Sequence, residues 1–144
     1  MPQARRTVVI ARPQPEVFAF FADAENDPQW RPAVRLMRRD GPLAVGARYT
    51  QRIAGPAGRD IPADVEVTAY EPDERVAFHG VAGPVRPEGS YTFSAVDEGT
   101  SVTFSLNADL TGIKKLFMSK PVQKSMDAEM ASLDKAKTLL ESRG

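Results

Sequence analysis

The feature that most constrains this chain is a one-sided alternation that recurs in segment after segment between residues 34 and 110. Residues 59–70 show it plainly: Ile61, Ala63, Val65, Val67 and Ala69 share one side, and Asp64, Glu66 and Thr68 the other. Tyr91, Phe93 and Ala95 alternate with Thr92 and Ser94, and Val102, Phe104 and Leu106 with Thr103, Ser105 and Asn107. Successive side chains of a strand point to opposite faces, so the pattern predicts strands with one apolar and one wet face. Further strands are expected at 34–39, 48–54 and 75–81. Turn residues separate the segments: Gly41-Pro42 with Gly46, Gly55-Pro56-Ala57-Gly58, Glu71-Pro72-Asp73-Glu74, a rigid loop over 83–89, and a tight hairpin at Asp97-Glu98-Gly99. Six consecutive strands of this kind point to an antiparallel sheet whose apolar face needs a cover.

The cover is written in the last thirty or so residues. Val122, Met126, Met130, Leu133 and Leu140 follow a 3.6-residue period, with Ala136 between the last two. Lys124, Asp127, Glu129, Asp134, Lys135, Lys137 and Glu141 fall on the other face, which reads as solvated. A proline is tolerated in a first helical turn, and the residue before it avoids the α region. The main helix is therefore expected to start at Pro121, capped by Ser119 or Lys120, and to run to Ser142, with Arg143 and Gly144 suiting its C-terminus. Such a helix spans about 33 Å.

At the other end, residues 7–11 are β-branched and apolar and read as a first strand. Arg12-Pro13-Gln14-Pro15 stops it, and Pro15 opens a short helix whose Val17, Phe18, Phe20 and Phe21 make one apolar side. Asn26-Asp27-Pro28 is a turn or a second short helix. Trp30 follows, expected to pack these small helices against the sheet, with ligand stacking as the alternative; Pro32 ends the helical part.

The 144 residues suit one domain over 1–144, with no linker, repeat or low-complexity segment. Lys plus Arg equals Asp plus Glu at 19 each, so no electrostatic reason exists to expect nucleic acid or an anionic membrane. The cluster Arg35, Arg38, Arg39 reads as a solvated strand face. There is no cysteine, hence no disulfide framework and no thiol nucleophile. No apolar run is long enough to span a bilayer, and a cytoplasmic protein is the default expectation. His79 is the only histidine, which excludes a multi-histidine metal site, and no metal or cofactor is expected. If Val76 and Phe78 face inward, parity turns His79 outward, to the surface or rim. The same parity makes Asp64 and Glu66 solvated rather than an acid–base pair.

The order strand, two short helices, six strands, long helix is distinctive. It is carried by Pro15-Glu16-Val17-Phe18-Ala19-Phe20-Phe21, by Asp23, Asn26, Pro28 and Trp30, by Gly46-Ala47-Arg48-Tyr49 at the head of a strand, and by Gly99-Thr100-Ser101-Val102-Thr103 in the last hairpin. On these residues the chain resembles the START-like, or SRPBCC, superfamily over nearly its whole length. This is the helix-grip fold of polyketide cyclases, lipid-transfer domains and the birch pollen allergen. The resemblance implies an α+β fold: a curved seven-stranded antiparallel sheet wrapped round a long C-terminal helix, with two short helices after the first strand. It also implies a hydrophobic tunnel between helix, sheet and small helices. Members of the superfamily bind many ligands and only some catalyse anything.

Within that frame, Met118, Met126 and Met130 lie in or just before the long helix, where a flexible thioether suits a wall that accepts varied apolar shapes, or an ordinary core. The candidate ligand-binding residues are Trp30, Tyr49, Phe78, Tyr91, Phe93, Phe104, Met126 and Met130. Tyr49 shares parity with Gln51 and Ile53; its hydroxyl, like that of Tyr91, either enters the cavity or is satisfied at the edge. The mouth is expected beside the 55–58 turn and the 83–89 loop. The expected function is binding or carriage of a small hydrophobic molecule, lipid-, polyketide- or aromatic-like, without chemistry. The alternatives are a cyclase or dehydratase of lyase type, for which no catalytic residue is assigned, and a protein-interaction module. Polar residues converging inside the cavity would favour the enzyme, and a uniformly apolar wall the binder. The partner is then a small molecule, with no nucleic acid and no integral membrane association; a homodimer is left open.

Overall fold

One antiparallel sheet organises the molecule. The computed structural model describes every residue except Met1, Pro84, Thr111 and Gly144, so the glycine expected at the final helix end and the proline of the 83–89 loop lie outside the described residues. Eight strands are found among the described residues: β1 (Gln3–Ile10), β2 (Val34–Asp40), β3 (Arg48–Ala54), β4 (Asp60–Pro62), β5 (Val65–Glu71), β6 (Arg75–Gly80), β7 (Glu88–Val96) and β8 (Gly99–Asn107). Seven follow one path in the order β1-β8-β7-β6-β5-β3-β2, and the short β4 pairs only with β3. The first strand thus closes on the last, with Thr7 opposite Thr103, and the β7–β8 hairpin turns tightly through Asp97-Glu98.

The segment 59–70 keeps one register against β3, with Ile61 opposite Ile53 and Val65 opposite Tyr49, but its ladder is interrupted. The backbone N–H of Gln51 donates to the Asp64 carboxylate at 3.0 Å, and the Ala63 carbonyl accepts from Gln51 Nε2 at 2.6 Å. A side chain replaces the main chain on each side, which splits the expected single strand. Asp64 is therefore structural, and it also holds Arg52 at 3.1 Å. A register shift between Val67 and Ala69 then alters the alternation: Tyr70 pairs with inward-facing Val76 and meets the Phe18 ring at 5.6 Å. Ala69 leaves the apolar side on which simple alternation places it.

Between β1 and β2, α1 (Gln14–Ala22) starts with Pro13 as its N-cap and Pro15 in the first turn, and buries Val17, Phe18, Phe20 and Phe21. A 3₁₀ helix over Ala24–Gln29 follows, the Glu25 N–H capped by the Asp23 side chain. The final helix, α2 (Gly112–Glu141), is longer than expected, at 30 residues, and continues through Pro121. The residues before the proline include good helix formers such as Lys114, Lys115, Leu116 and Met118, and they extend the helix by two turns and more. Pro121 only withholds the N–H that the Phe117 carbonyl would accept. Leu116 and Phe117 on this extension are exposed.

Helix α2 lies in the curve of the sheet and buries Met126, Met130, Leu133, Ala136 and Leu140. It runs in the same direction as β1, and polar bonds stitch the two together. Gln123 exchanges two bonds with the Gln3 backbone, at 2.9 and 2.7 Å. Arg6 reaches the Met130 carbonyl at 2.9 Å and Asp134 at 2.6 Å. Lys137 donates to the Val9 carbonyl, and the Ala11 N–H donates to Glu141 at 2.8 Å. Lys137 and Glu141 are thus fasteners of an edge strand, not members of a solvated face. No helix among the described residues is long and apolar enough to cross a membrane.

Candidate functional site

The sheet does not close on α2 along its whole length. A cavity of about 810 Å³ remains between α2, the inner face of β2, β3, β5, β6, β7 and β8, and the segment after α1. This lies within the roughly 300–1,000 Å³ usual for small-molecule sites. Its apolar wall includes Met37, Ile53, Val65, Val67, Val76 and Leu106. Pro62, Pro121, Lys124 and Ser125 are exposed residues of the lining and mark where it meets solvent.

Five of the eight residues expected at the site lie on this wall: Tyr49, Phe78, Tyr91, Phe104 and Met126. The other three stand behind it. Trp30 is buried edge-on to Phe21 at 5.5 Å and to Phe104 at 6.1 Å, which packs the small helices against the sheet. Phe93 packs against Phe18 at 5.3 Å, under α1. Met130, one turn beyond Met126, is buried in the α2–sheet core. On the wall, Tyr91 stacks on Phe104 with ring centroids 4.4 Å apart. Phe78 has room because its strand partner is Gly89: a Cβ there would come within 2.5 Å of the Phe78 ring.

The Tyr49 ring is on the wall but its hydroxyl is used elsewhere. It donates to Asp23 at 3.2 Å and accepts from the Ala24 N–H at 3.3 Å, at the junction of α1 and the 3₁₀ helix. Burial pushes its pKa up to about 12. His79 faces the outer side of the sheet, 3.7 Å from Glu66, and takes no part in the cavity. Glu66 is held there by Arg48 at 2.9 Å.

The wall carries a polar cluster that periodicity and parity do not single out. Arg31 donates through Nη1 to Asp27 at 2.8 Å and through Nε to Glu129 of α2. All three line the cavity beside Tyr91. Glu129 reads as solvated by helical period, yet its side chain is only 12% exposed because it turns to meet Arg31. Burial pushes the Asp27 pKa up to about 6, against the pull of Arg31. Burial also opposes the Arg31 charge, but Glu129 and Asp27 outweigh it and hold the guanidinium pKa above its ordinary value. Tyr91 is raised well above the usual phenol range, first by burial and then by the Asp27 charge. Asp27 Oδ1 and the Trp30 indole N–H are buried without a partner in good hydrogen-bond geometry, although the indole still draws the Asp27 pKa down a little. Gln51 Oε1, also on the wall, is buried without a partner. The signal in the sequence was the i,i+4 spacing of Asp27 and Arg31 around a buried tryptophan, which puts acid and base on one side of the turn.

A curved sheet gripping one helix beside a mainly apolar cavity with one ionic cluster defines a helix-grip domain. The chain belongs to the polyketide cyclase / dehydrase and lipid transport family, whose model matches residues 1–138. Among solved structures it is similar to a protein from Thermus thermophilus, with 22% identity, 95% of each chain covered and a TM-score of 0.77. It is similar to a START superfamily protein from Mycobacterium smegmatis, with 16% identity, 98% of this chain and 95% of that one covered, and a TM-score of 0.75. The di-domain ARO/CYC StfQ of the steffimycin biosynthetic pathway aligns at 13% identity and a TM-score of 0.78, over 98% of this chain and 51% of that one. At these identities the likeness is one of fold. No curated protein matches the chain in sequence.

Proposed function

We propose that this protein binds and carries a small, largely apolar molecule in the cavity between α2 and the sheet. The observation that carries this reading is the cavity of about 810 Å³, walled by apolar side chains from β2, β3, β5, β6, β7, β8 and α2. Burying apolar surface there contributes about 25 cal/mol per Å² before the costs of association. The family description, which includes lipid transport, supports the same reading. The test is titration with the neutral fluorescent dye N-phenyl-1-naphthylamine, alongside a melting curve. Wild type should bind saturably. Met126→Trp, which adds bulk to the wall, should bind at least about tenfold more weakly while still melting cooperatively, with an overpacking cost of about 1–3 kcal/mol. Absence of saturable uptake by the wild type rejects the proposal.

One observation favours a second reading, a cyclase or dehydratase: Asp27, Arg31, Glu129 and Tyr91 converge on the cavity wall. An Asp with a pKa of about 6 is suited to taking a proton near neutral pH, and Arg31 to steadying an enolate oxygen. StfQ, whose name marks it as an ARO/CYC of steffimycin biosynthesis, shares the fold. Turnover of a poly-β-ketone model substrate that is lost in Asp27→Asn, with binding retained, would establish this reading.

A further inference from the structure

Among the described residues the cavity has one ionic station, apart from the unpartnered Gln51 Oε1 on the wall, and its composition restricts what a ligand can present there. Arg31 is committed on two sides, Nη1 to Asp27 and Nε to Glu129. Its charge is opposed by two carboxylates, so no free cation remains to receive an anionic head. Lys124 stands at the mouth but is solvent-exposed, where water and salt screen it. The remaining valences are those of neutral hydrogen bonding. Arg31 Nη2 is left over as a donor, and among the described residues no hydrogen bond engages the Tyr91 hydroxyl. Asp27, only 4% exposed, has in Oδ1 an acceptor that no hydrogen bond of good geometry saturates, although the Trp30 indole still interacts with the carboxyl.

We infer that this station receives an uncharged oxygen, the hydroxyl or carbonyl of an alcohol, phenol or ketone, and discriminates against carboxylate and ammonium heads. The inference rests on the cavity-binding reading above and specifies its ligand class. A neutral oxygen takes a hydrogen bond from Tyr91 or Arg31 Nη2, and a hydroxyl returns one to Asp27. A carboxylate brought to the same place meets two buried carboxylates against one guanidinium, in surroundings where charges are poorly screened. An ammonium is attracted by the two carboxylates, but it loses its hydration on entry and finds too few spare acceptors there for its three donors.

The experiment is displacement of N-phenyl-1-naphthylamine at pH 8, above the Asp27 pKa of about 6, by four ligands with one chain length. These are 1-decanol, 2-decanone, decanoate and decylammonium. The alcohol and the ketone should displace the dye at concentrations about tenfold or more below those needed for either ion. Tyr91→Phe, which keeps the ring stacked on Phe104, should narrow that gap by weakening the neutral ligands. Glu129→Gln should narrow it from the other side by admitting decanoate. If the glutamine variant does not fold, the phenylalanine variant still carries the test. Decanoate or decylammonium displacing the dye as well as decanol overturns the inference, as does an unchanged gap in Tyr91→Phe. In either case dye binding by the wild type leaves the cavity reading standing. Failure of the dye itself to bind saturably removes both.

Discussion

Asp27 sits where two requirements conflict: it must be ionised to pair with Arg31, and it is buried where ionisation is costly. Its folded pKa of about 6 lies above the ordinary value of 3.8, so the folded protein holds a proton that the unfolded chain releases between these two pH values. Stability from this group is therefore present at low pH and is lost as pH rises from about 4 to about 6. In chemical denaturation at a series of pH values, wild type should gain stability relative to Asp27→Asn as pH falls from 7 to 4.5. A constant difference between the two would mean that Asp27 titrates normally. The aromatic and aliphatic residues present no such conflict. Phe104 and Leu133, at 1% and 0% exposure, should each cost about 3 kcal/mol or more on substitution by alanine, measured by urea unfolding. Both were legible in the sequence because alternation and helical period set their direction. Glu129 was not. Period places it opposite the apolar stripe, and only the position of the cavity mouth, a tertiary fact, shows that this part of the helix turns toward Arg31.

The helices and strands show the same division between what pattern determines and what pairing adds. Six strand segments, the short helix after Pro15 and the long final helix are all visible as periodicities. The split at residues 63–64 is not visible, because it depends on Asp64 and Gln51 exchanging side chain for main chain across two strands. The start of α2 falls before the boundary that Pro121 suggests, because the neighbours of the proline favour helix strongly enough to run past it. The fasteners along β1 are invisible for a similar reason. Lys137, Glu141 and Gln123 look like surface residues in one dimension, yet they satisfy the free main-chain groups of an edge strand. An unsatisfied edge invites pairing with another chain. Lys137→Met keeps the apolar stem and removes the ammonium. It should cost about 1 kcal/mol in chemical denaturation, more than an exposed lysine on a truly solvated face. A loss within about 0.2 kcal/mol would show that the Val9 carbonyl is equally well served by water.

Taken whole, the molecule is closed by its two ends. β1 reaches across to β8, with Thr7 and Thr103 hydroxyls 2.8 Å apart, and α2 then seals the same strand from the cavity side. The cavity exists only once this closure is made, since α2 supplies one of its walls. A chain ending at residue 111 should therefore show neither a cooperative melt nor saturable dye uptake, although it keeps every strand; circular dichroism and the dye titration would check both. The span between Thr7 and its partner is 96 residues. During synthesis at about 5–20 residues per second, the first strand must wait on the order of 5–20 s for its neighbour, and longer for the helix that covers it. For that interval the strand's alternating apolar side chains stand uncovered beside the ribosome exit. The closure that shapes the cavity therefore comes late: the first strand can be covered only after α2 has been synthesised.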